Sequence, residues 1–374
     1  MTAALRILTI LGARPQFIKA AAVSRAIQSL NRRSMRPVIE EKIVHTGQHY
    51  DENMSAVFFE EMAIPAPAYS LGVGSADHGA QTGRMLEKIE EVLQWERPHL
   101  CMVYGDTNTT LAGALAAVKQ HIPTAHIEAG LRSYDRRMPE EINRLVADQI
   151  CEFRFCPTRT AVENLQKEGI YSGVFLTGDV MYDCLLFYRR QLQPQHSALL
   201  GRFGLAAGGY FLATIHRAEN TDDAGRLEQI IAGLSRIAET LAPVLLPLHP
   251  RTAARLEQMT LRLSPRFHLL EPVSYLTMLA LETNARAILT DSGGVQKEAY
   301  FLRVPCLTFR DRTEWPETVH SGWNTLAEAD AQQIVRAAGS LQRPSSDRDR
   351  QEYGDGKAAE KIVQILLDEF KARL

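Results

Sequence analysis

The sequence predicts a two-domain α/β protein in which parallel sheets are covered by helices. Three observations carry this. Short β-rich runs alternate with longer helical patterns along the whole chain, the rhythm of parallel strands joined by helical crossovers. A length of 374 residues suffices for two sizeable cores. A polar stretch at 189–209, closing on Ala-Ala-Gly-Gly, interrupts the rhythm and reads as a domain junction. The boundary is expected between 183 and 209, with a first domain over 1–188 and a second over 189–357.

The predicted strands are residues 5–11, 42–45, 100–104, 124–127, 174–176, 210–215, 244–248, 287–289 and 306–309. Between the first two, Phe17, Ala20, Val23, Ile27 and Leu30 recur three or four apart, which is a helix face. A second polar stretch, 344–356, precedes a last helix at 358–372. No short-period repeat and no low-complexity tract is present.

The chemically unusual residues cluster just past the C-terminal ends of these strands. Gly12-Ala13-Arg14-Pro15, Thr46-Gly47-Gln48-His49, Gly105-Asp106-Thr107 and Glu128-Ala129-Gly130 come after strands of the first half. His216-Arg217, His249-Pro250-Arg251, Asp291 to Gly294 and Arg310-Asp311 come after strands of the second. Open α/β sheets bind ligands outside the carboxyl ends of their strands. Two such domains facing each other would close these residues around one cleft.

Composition removes several function classes. The formal charge is -2 with no run of like charges, so neither nucleic acid nor an anionic membrane is expected as a partner. No segment is long enough to span a bilayer. The five cysteines, Cys101, Cys151, Cys156, Cys184 and Cys306, are odd in number and include no C-x-x-C pair. Reduced thiols and a cytoplasmic location are expected. The N-terminal run MTAALRILTILGARP is brief and lacks a cleavage pattern. No Walker A loop occurs, and no G-x-G-x-x-G opens a helix after a strand; LGVGSADHG at 71–79 has the wrong spacing. ATP and nicotinamide chemistry thus have no support, and no cofactor is expected. The histidines lack metal-ligand spacing, so no metal is predicted either.

Ser292-Gly293-Gly294 sits between a strand and a helix. Two glycines leave backbone N–H groups approachable at a helix N-terminus, which favours an anion such as phosphate. Ser292 as a simple N-cap is the alternative. Arg14 beside Pro15, and Lys19 five residues on, could reach a second phosphate; a solvated helix start is the alternative for Lys19. Asp106, Glu128 and the pair Glu140-Glu141 form an acidic set, and His216 and His249 supply bases. Such a mixture suits acid–base work on one bond. Asp106 could instead cap a helix beginning near Thr107. Glu140 could decorate a first helical turn and pair with Arg144 at i, i+4. The histidines could be core residues. Glu128, a carboxylate ending a buried strand, has few structural explanations. The residues thus indicate an enzyme that holds a diphosphate ligand between acidic and basic groups, with the reaction left open.

The motifs GARPQFIK, HTGQHYDENMS, YGDTNTTLAG, HIEAGLRSYDRRMPEEINR, HRAEN, LTDSGGVQKEA and RDRTEWPE, in this order, resemble the non-hydrolysing UDP-N-acetylglucosamine 2-epimerases. The resemblance implies a GT-B-like fold of two Rossmann-like domains facing a cleft, a homodimer, and a last helix (358–374) that crosses back to the first domain. It implies interconversion of UDP-N-acetylglucosamine and UDP-N-acetylmannosamine without a redox cofactor. A base takes the C2 proton as the C1–O bond to UDP breaks, giving 2-acetamidoglucal and UDP; UDP then adds back with a proton on the other face of C2. Asp106, Glu128, Glu140 and His216 fall on the family's catalytic positions. Arg14, Lys19, His249, Ser292, Gly293, Gly294, Glu298 and Arg310 fall in its UDP-sugar-binding set, with Glu298 on the ribose. This chain has Trp315 where the family often has arginine, and Gln48-His49-Tyr50-Asp51 where many bacterial members carry the Gln-His-Arg of an allosteric UDP-N-acetylglucosamine site. Weak or absent activation of that kind is expected. The Gln-His-Tyr-Asp pattern also occurs in relatives acting on UDP-linked 2,3-diacetamido-uronic acids and 6-deoxy-acetamido sugars. A GT-B glycosyltransferase, a hydrolysing epimerase and a non-catalytic UDP-sugar sensor are the competing classes. The acidic cluster opposes the first and the last, and the absence of an appended kinase domain opposes the hydrolysing type.

Overall fold

The structure is a computed structural model and describes residues 4–35, 37–48, 62, 64–192, 200–201, 204–248, 250–259, 263–344 and 352–371. Two compact units emerge: Met1–Cys184 together with Arg350–Leu374, and Leu185–Asp349.

The first unit runs β1 (Leu5–Leu11), α1 (Arg14–Arg32), β2 (Ile39–His45), β3 (Tyr69–Ser70), α2 (His78–Glu96), β4 (Leu100–Tyr104), α3 (Asn108–Lys119), β5 (Thr124–Ile127), α4 (Pro139–Ile150), β6 (Phe153–Cys156), α5 (Arg159–Lys167), β7 (Val174–Leu176) and the start of α6 (Val180–Leu192). Its seven strands lie in the order β3-β2-β1-β4-β5-β6-β7, and the described pairings are parallel. Strand β4, Leu-Cys-Met-Val-Tyr, is buried throughout, as a strand covered on both faces must be. Helix α2 packs on α3 and adds Met85, Ile89, Val92 and Leu93, one apolar stripe, to the core cluster that holds Cys101 and Val103 of β4.

The second unit runs β8 (Phe211–Thr214), α7 (Ala218–Thr221), α8 (Ala224–Thr240), β9 (Val244–Pro247), α9 (Pro250–Leu256), β10 (Phe267–Leu270), α10 (Tyr275–Asn284), β11 (Ala287–Thr290), α11 (Gly293–Leu302), β12 (Cys306–Thr308), α12 (Pro316–His320), β13 (Asn324–Leu326) and α13 (Ala331–Ser340). Its six strands are ordered β10-β9-β8-β11-β12-β13, again in parallel. Leu227, Ile230, Leu234 and Ile237 of α8 fill its core with Ile334 of α13.

Every strand expected from the sequence is present. The ones not anticipated are β3, β6, β10 and β13. Strand β3 has two residues, and β13 is a three-residue edge. Strand β6 carries Arg154, whose guanidinium is buried on the backbone carbonyls of Asp148 and Ser172. The five cysteines are buried; burial pushes the Cys306 thiol up to about 12. Among the described residues no helix is long and apolar enough to cross a membrane.

Both sheets wind outward from a central pair, β1 with β4 and β8 with β11. At such a switch point the crossovers leave in opposite directions and open a crevice at the strand ends.

The last helix, α14 (Ala358–Lys371), belongs to the first unit. It packs on α1, and Phe370 lies 6.2 Å from Phe153, ring to ring. Its first turn is held by Asp183 of α6, whose Oδ2 accepts the Ala359 N–H at 2.7 Å. Burial pushes the Asp183 carboxyl up to about 6, against the pull of the Ala359 and Ala358 N–H groups and with help from Asp179 and Asp355. A raised folded-state value means that this group's stabilising contribution is full below the unfolded carboxylate range and is lost as pH rises through about 6. The cost at neutral pH is about 3 kcal/mol at most. Asp183→Asn keeps an acceptor for Ala359. Its melting temperature relative to the parent should therefore rise between pH 4.5 and 7.5; an unchanged difference across that window sinks the assignment.

Candidate active site

In the first unit, the turn leaving β1 is stitched to the end of β4 by one amide. Gln16 Oε1 accepts the N–H groups of Gly12 (2.8 Å) and Ala13 (3.0 Å), and its Nε2 donates to the Tyr104 carbonyl (2.9 Å). Arg14 opens α1, half-buried at the helix mouth. Lys19 is not on a solvated helix start. It is buried and forms an ion pair with Glu128, itself buried.

Glu128 stands at the end of β5 in the left-handed region, with φ +71°. Its N–H and that of Ala129 both reach the Phe155 carbonyl at 3.1 Å. A non-glycine residue in this region is strained by about 1 kcal/mol or more, a cost that concentrates at functional sites. The neighbouring turn accommodates the pair. Gly105 has φ +63°, and a side chain there would begin 2.9 Å from Lys19 Nζ and 3.2 Å from a Glu128 oxygen.

Asp106, next in the chain, is not the helix cap. Thr107 caps α3, its side chain accepting the Thr110 N–H. Arg144 of α4 donates to the Asp106 carboxylate through Nη2 and to Glu141 through Nη1 (2.7 Å). Asn143 Nδ2 holds the Asp106 carbonyl at 2.9 Å. Glu141 is the buried member of the Glu140-Glu141 pair. It accepts Ser133 N and Oγ and Tyr134 N, each at 2.9 Å. Glu140 lies half-buried in the first turn of α4. The i, i+4 spacing allows an Arg144–Glu140 pair; the geometry shows Arg144 bridging Glu141 and Asp106. Arginine suits that bridge because its planar fork offers two directed donors.

In the second unit, the organiser is Asp291 at the end of β11. It is fully buried and accepts the backbone N–H groups of His216 (3.1 Å) and Arg217 (3.0 Å) and the Asn220 amide (3.1 Å). His216 Nδ1 is 3.1 Å from its Oδ1, on a side chain 40% exposed. Burial would raise the Asp291 carboxyl, but the His216 ring, the Asn220 amide and the Arg217 N–H outweigh it and hold it below the usual range. A carboxylate fixing one imidazole nitrogen is the arrangement that aims the other at a substrate.

Ser292 does cap α11, accepting the Val295 N–H at 3.4 Å. That does not exclude an anion. A side chain at Gly293 would begin 3.5 Å from Arg217 Nη2, 3.5 Å from Trp315 Nε1 and 4.0 Å from Glu314 Oε2. The side-chain face of Gly293 therefore opens toward a guanidinium, an indole N–H and the Glu314 carboxylate, and Lys297 Nζ lies 3.9 Å from the Trp315 ring centre. Gly294 is the next residue of the same turn, and Glu298 is buried one turn further on. Arg310 is buried as well, with Nη1 on Glu314 at 2.8 Å and Nε 3.4 Å from Glu219; it braces the Glu314–Trp315 turn. His249, and His49 to Asp51 of the Gln-His-Tyr-Asp segment, lie outside the described residues. Gln48 is described, and its Oε1 accepts the Thr109 N–H at 3.0 Å.

Sequence reasoning placed Arg217 and Asp291 past strand ends without assigning them a role, and did not single out Arg144 or Trp315 as site residues. A buried-strand carboxylate directly before Ser-Gly-Gly was the one signal that could have singled out Asp291.

Two doubly wound parallel sheets with carboxylates at one switch point and anion donors at the other define a GT-B-like enzyme. The sequence profile of the UDP-N-acetylglucosamine 2-epimerase family matches residues 31–367. The chain is 49% identical to the UDP-2,3-diacetamido-2,3-dideoxy-D-glucuronate 2-epimerase of Pseudomonas aeruginosa, over 97% of this chain and 99% of that one. The crystal structure of Methanocaldococcus jannaschii UDP-GlcNAc 2-epimerase in complex with UDP-GlcNAc and UDP is similar at TM-score 0.88 and 43% identity, covering 96% of this chain and 99% of that one. The Neisseria meningitidis enzyme bound to UDP-GlcNAc is similar at 0.86 and 30%, covering 97% and 100%. The protein belongs to the UDP-N-acetylglucosamine 2-epimerase family and is an isomerase.

Asp291→Asn puts an amide N–H among groups that all donate. Turnover should fall about 100-fold through loss of the oriented His216. A depressed carboxyl contributes stability above the unfolded carboxylate range and loses it as pH falls through its folded value. The variant should therefore melt lower than the parent at pH 7.5, with a difference that holds down to the unfolded carboxylate value of 3.8 and narrows only as pH falls below it, toward about 2. A constant difference in scanning calorimetry would refute the charge assignment.

Proposed function

We propose that the protein interconverts UDP-N-acetylglucosamine and UDP-N-acetylmannosamine by eliminating UDP to 2-acetamidoglucal and adding it back. The observation that supports this most is the pair of carboxylates at neighbouring strand ends, Asp106 on Arg144 and Glu128 on Lys19. C2 epimerisation needs proton removal from one face and delivery to the other, hence two acid–base groups rather than one. Each carboxylate is held by a buried cation, so its direction is fixed before substrate arrives. Glu140 lies in the turn that carries Asn143 and Arg144 and completes the acid–base set in this reading. His216, aimed by Asp291, serves as acid or base toward the leaving oxygen.

The second half-requirement is a diphosphate that leaves and returns. Its charge grows as C1–O breaks, so donors fixed at the diphosphate lower the barrier most. The N–H groups of Gly293 and Gly294, the Ser292 hydroxyl, Arg217 and the Trp315 indole supply them in this reading. Arg14 at the mouth of α1 is assigned to the same diphosphate, Glu298 to the ribose and His249 to the UDP-sugar. Lys19 acts on Glu128 and Arg310 on Glu314, so both support the site from behind. The reaction needs no redox cofactor, because C2 and C1 end at the oxidation levels at which they began.

A second substrate is favoured by one observation. The 49% identity to the Pseudomonas diacetamido-uronate enzyme makes UDP-2,3-diacetamido-2,3-dideoxy-D-glucuronate the competing sugar.

Proton NMR in D2O tests the reading. With the right sugar, the C2 proton signal disappears while the epimer grows in and no free sugar forms. Free sugar with UDP would mean hydrolysis, and acceptor-dependent UDP release would mean glycosyl transfer. Running both UDP-sugars side by side assigns the substrate by the larger kcat/KM. Asp106→Asn, Glu128→Gln and His216→Asn should each lower turnover by roughly 100-fold or more with UDP binding retained; near-parent rates in all three would overturn the catalytic assignment. Ser292→Ala should weaken UDP binding by about 1.5–3 kcal/mol in calorimetric titration, one hydrogen bond to a charged group.

A further inference from the structure

We infer that His126 is a positioning residue, whose ring sets the Asp106 and Glu128 carboxylates against each other by pinning the two turns that carry them. The inference rests on the reading above that these two carboxylates carry the proton transfers.

His126 lies on β5 and is fully buried. Its Nε2 is 2.7 Å from the Gly105 carbonyl, and its Nδ1 is 2.7 Å from Asp148 Oδ1. A carbonyl only accepts, so Nε2 donates to Gly105. Asp148 is a carboxylate. Burial would raise it, but the His126 ring and Arg132 outweigh burial and hold it below the usual range. Nδ1 faces the Asp148 carboxylate at 2.7 Å. The ring is a two-ended clamp, with one nitrogen for each partner.

Its two ends act on different turns. Gly105 immediately precedes Asp106. With its N–H on the Ile127 carbonyl at 2.9 Å and its carbonyl on His126, Gly105 is fixed to β5 through the peptides on both of its sides. Asp148, at the other end of the ring, accepts the Gly130 N–H through Oδ2 at 3.1 Å. Gly130 ends the turn that begins with Glu128 in its left-handed conformation, and Asn164 Nδ2 holds the Gly130 carbonyl at 3.0 Å. Asp148 is fixed in turn by Arg132 Nη1 at 2.6 Å, and Arg132 by Glu168 at 2.6 Å. The clamp therefore joins the β4 turn to the β5 turn beneath the Lys19–Glu128 pair. The close approach of Gly105 to both members of that pair makes their geometry depend on where the Gly105 peptide sits.

A buried histidine–carboxylate pair has a plain structural reading, in which it only adds stability. Two amide substitutions separate the readings. Glutamine places its N–H group near the Nε2 position of histidine, and asparagine near Nδ1. His126→Gln keeps the donor to Gly105, while His126→Asn keeps the donor to Asp148 and releases Gly105. If the ring positions the Asp106 turn, His126→Asn should lower kcat about 30-fold or more, with KM for the UDP-sugar and UDP binding stoichiometry within threefold; a displacement of about 1 Å suffices for such a loss. His126→Gln should retain at least five times the kcat of His126→Asn at a similar melting temperature. The primary isotope effect from C2-deuterated substrate should rise in His126→Asn as proton transfer becomes limiting. Equal kcat in the two variants, or a fall in kcat that merely tracks the UDP-binding fraction, overturns the proposal. Should His126→Asn fail to fold, Asn164→Ala probes the clamped Gly130 turn from the α5 side. It frees the Gly130 carbonyl and should lower kcat about 10-fold with UDP binding intact; an unchanged kcat overturns the proposal as well. Asp106→Asn and Glu128→Gln are assayed alongside. Full activity in those two would sink the catalytic reading itself, and the clamp with it. Inactive carboxylate variants beside fully active His126 variants would sink the clamp alone.

Discussion

In each sheet the winding reverses between two adjacent parallel strands, and the rest of the structure depends on that reversal. Beside β1 and β4, and beside β8 and β11, the connections depart in opposite directions, so no crossover covers the strand ends. The polar backbone exposed there must find partners from side chains. The first unit uses a neutral amide, Gln16, to join the two ends. The second uses a carboxylate, Asp291, to accept His216 and Arg217 backbone N–H groups across the same gap. The choice matches the neighbours. Beside Asp106 and Glu128, a further buried carboxylate would have raised the cost of ionising either. Asp291 is tolerable where it stands because the His216 and Arg217 backbone N–H groups, the Asn220 amide and the His216 ring surround it.

The first unit also shows why so many ions are buried in one place. Glu168–Arg132–Asp148–His126 and Asp106–Arg144–Glu141 are chains, not isolated pairs. An apolar replacement of equal volume is often as stable as a buried ion pair, so stability alone does not account for them. Direction does. A packed leucine leaves a turn free to settle where the core allows. A carboxylate with four acceptor sites fixes several peptides at once. The left-handed backbone at Glu128 fits the same account, since such a conformation persists only where surroundings over-determine it.

Most strands, and the clustering of polar residues just past their ends, were legible in the sequence because both obey local pattern. Buried parallel strands read as short apolar runs, and a doubly wound sheet places its ligand against the residues just past their carboxyl ends. The missed strands were those in which the pattern is broken for a reason. Strand β6 holds Arg154, buried because backbone carbonyls receive its donors, and β13 is too short to carry a pattern. The site was legible as types of residue and not as partners. That Asp106, Glu128 and His216 were worth singling out is visible at their strand ends. That Arg144 bridges to Asp106, that Lys19 is buried on Glu128, and that Asp291 aims His216 depends on contacts between residues 38, 109 and 75 positions apart. Single-sequence periodicity holds no information about such pairs. Glu140 and Glu141 show the limit most sharply: adjacent, identical in type, and different in burial because the helix turns by about 100° between them.

The same distinction explains why the reaction is easier to read than the sugar. Proton transfer at C2 and departure of a diphosphate from C1 are common to every UDP-2-acetamido sugar, and the groups suited to them are held by buried partners. A uronate differs from N-acetylglucosamine by a carboxylate at C6 and an amide at C3, and a carboxylate calls for a cation. Arg132, Arg144, Arg154 and Arg310 are buried and already engaged with acceptors of the protein itself. Redirecting any of them to a substrate would strip a buried carboxylate or carbonyl of its donor, at a cost of roughly several kcal/mol by the usual penalty for breaking such pairs. A cation that recognises a uronate is therefore expected outside this buried set, where it can change without disturbing the ion-pair chains. Relatives that share the buried framework can differ in sugar for this reason, and identity of 49% to a uronate enzyme is compatible with either substrate.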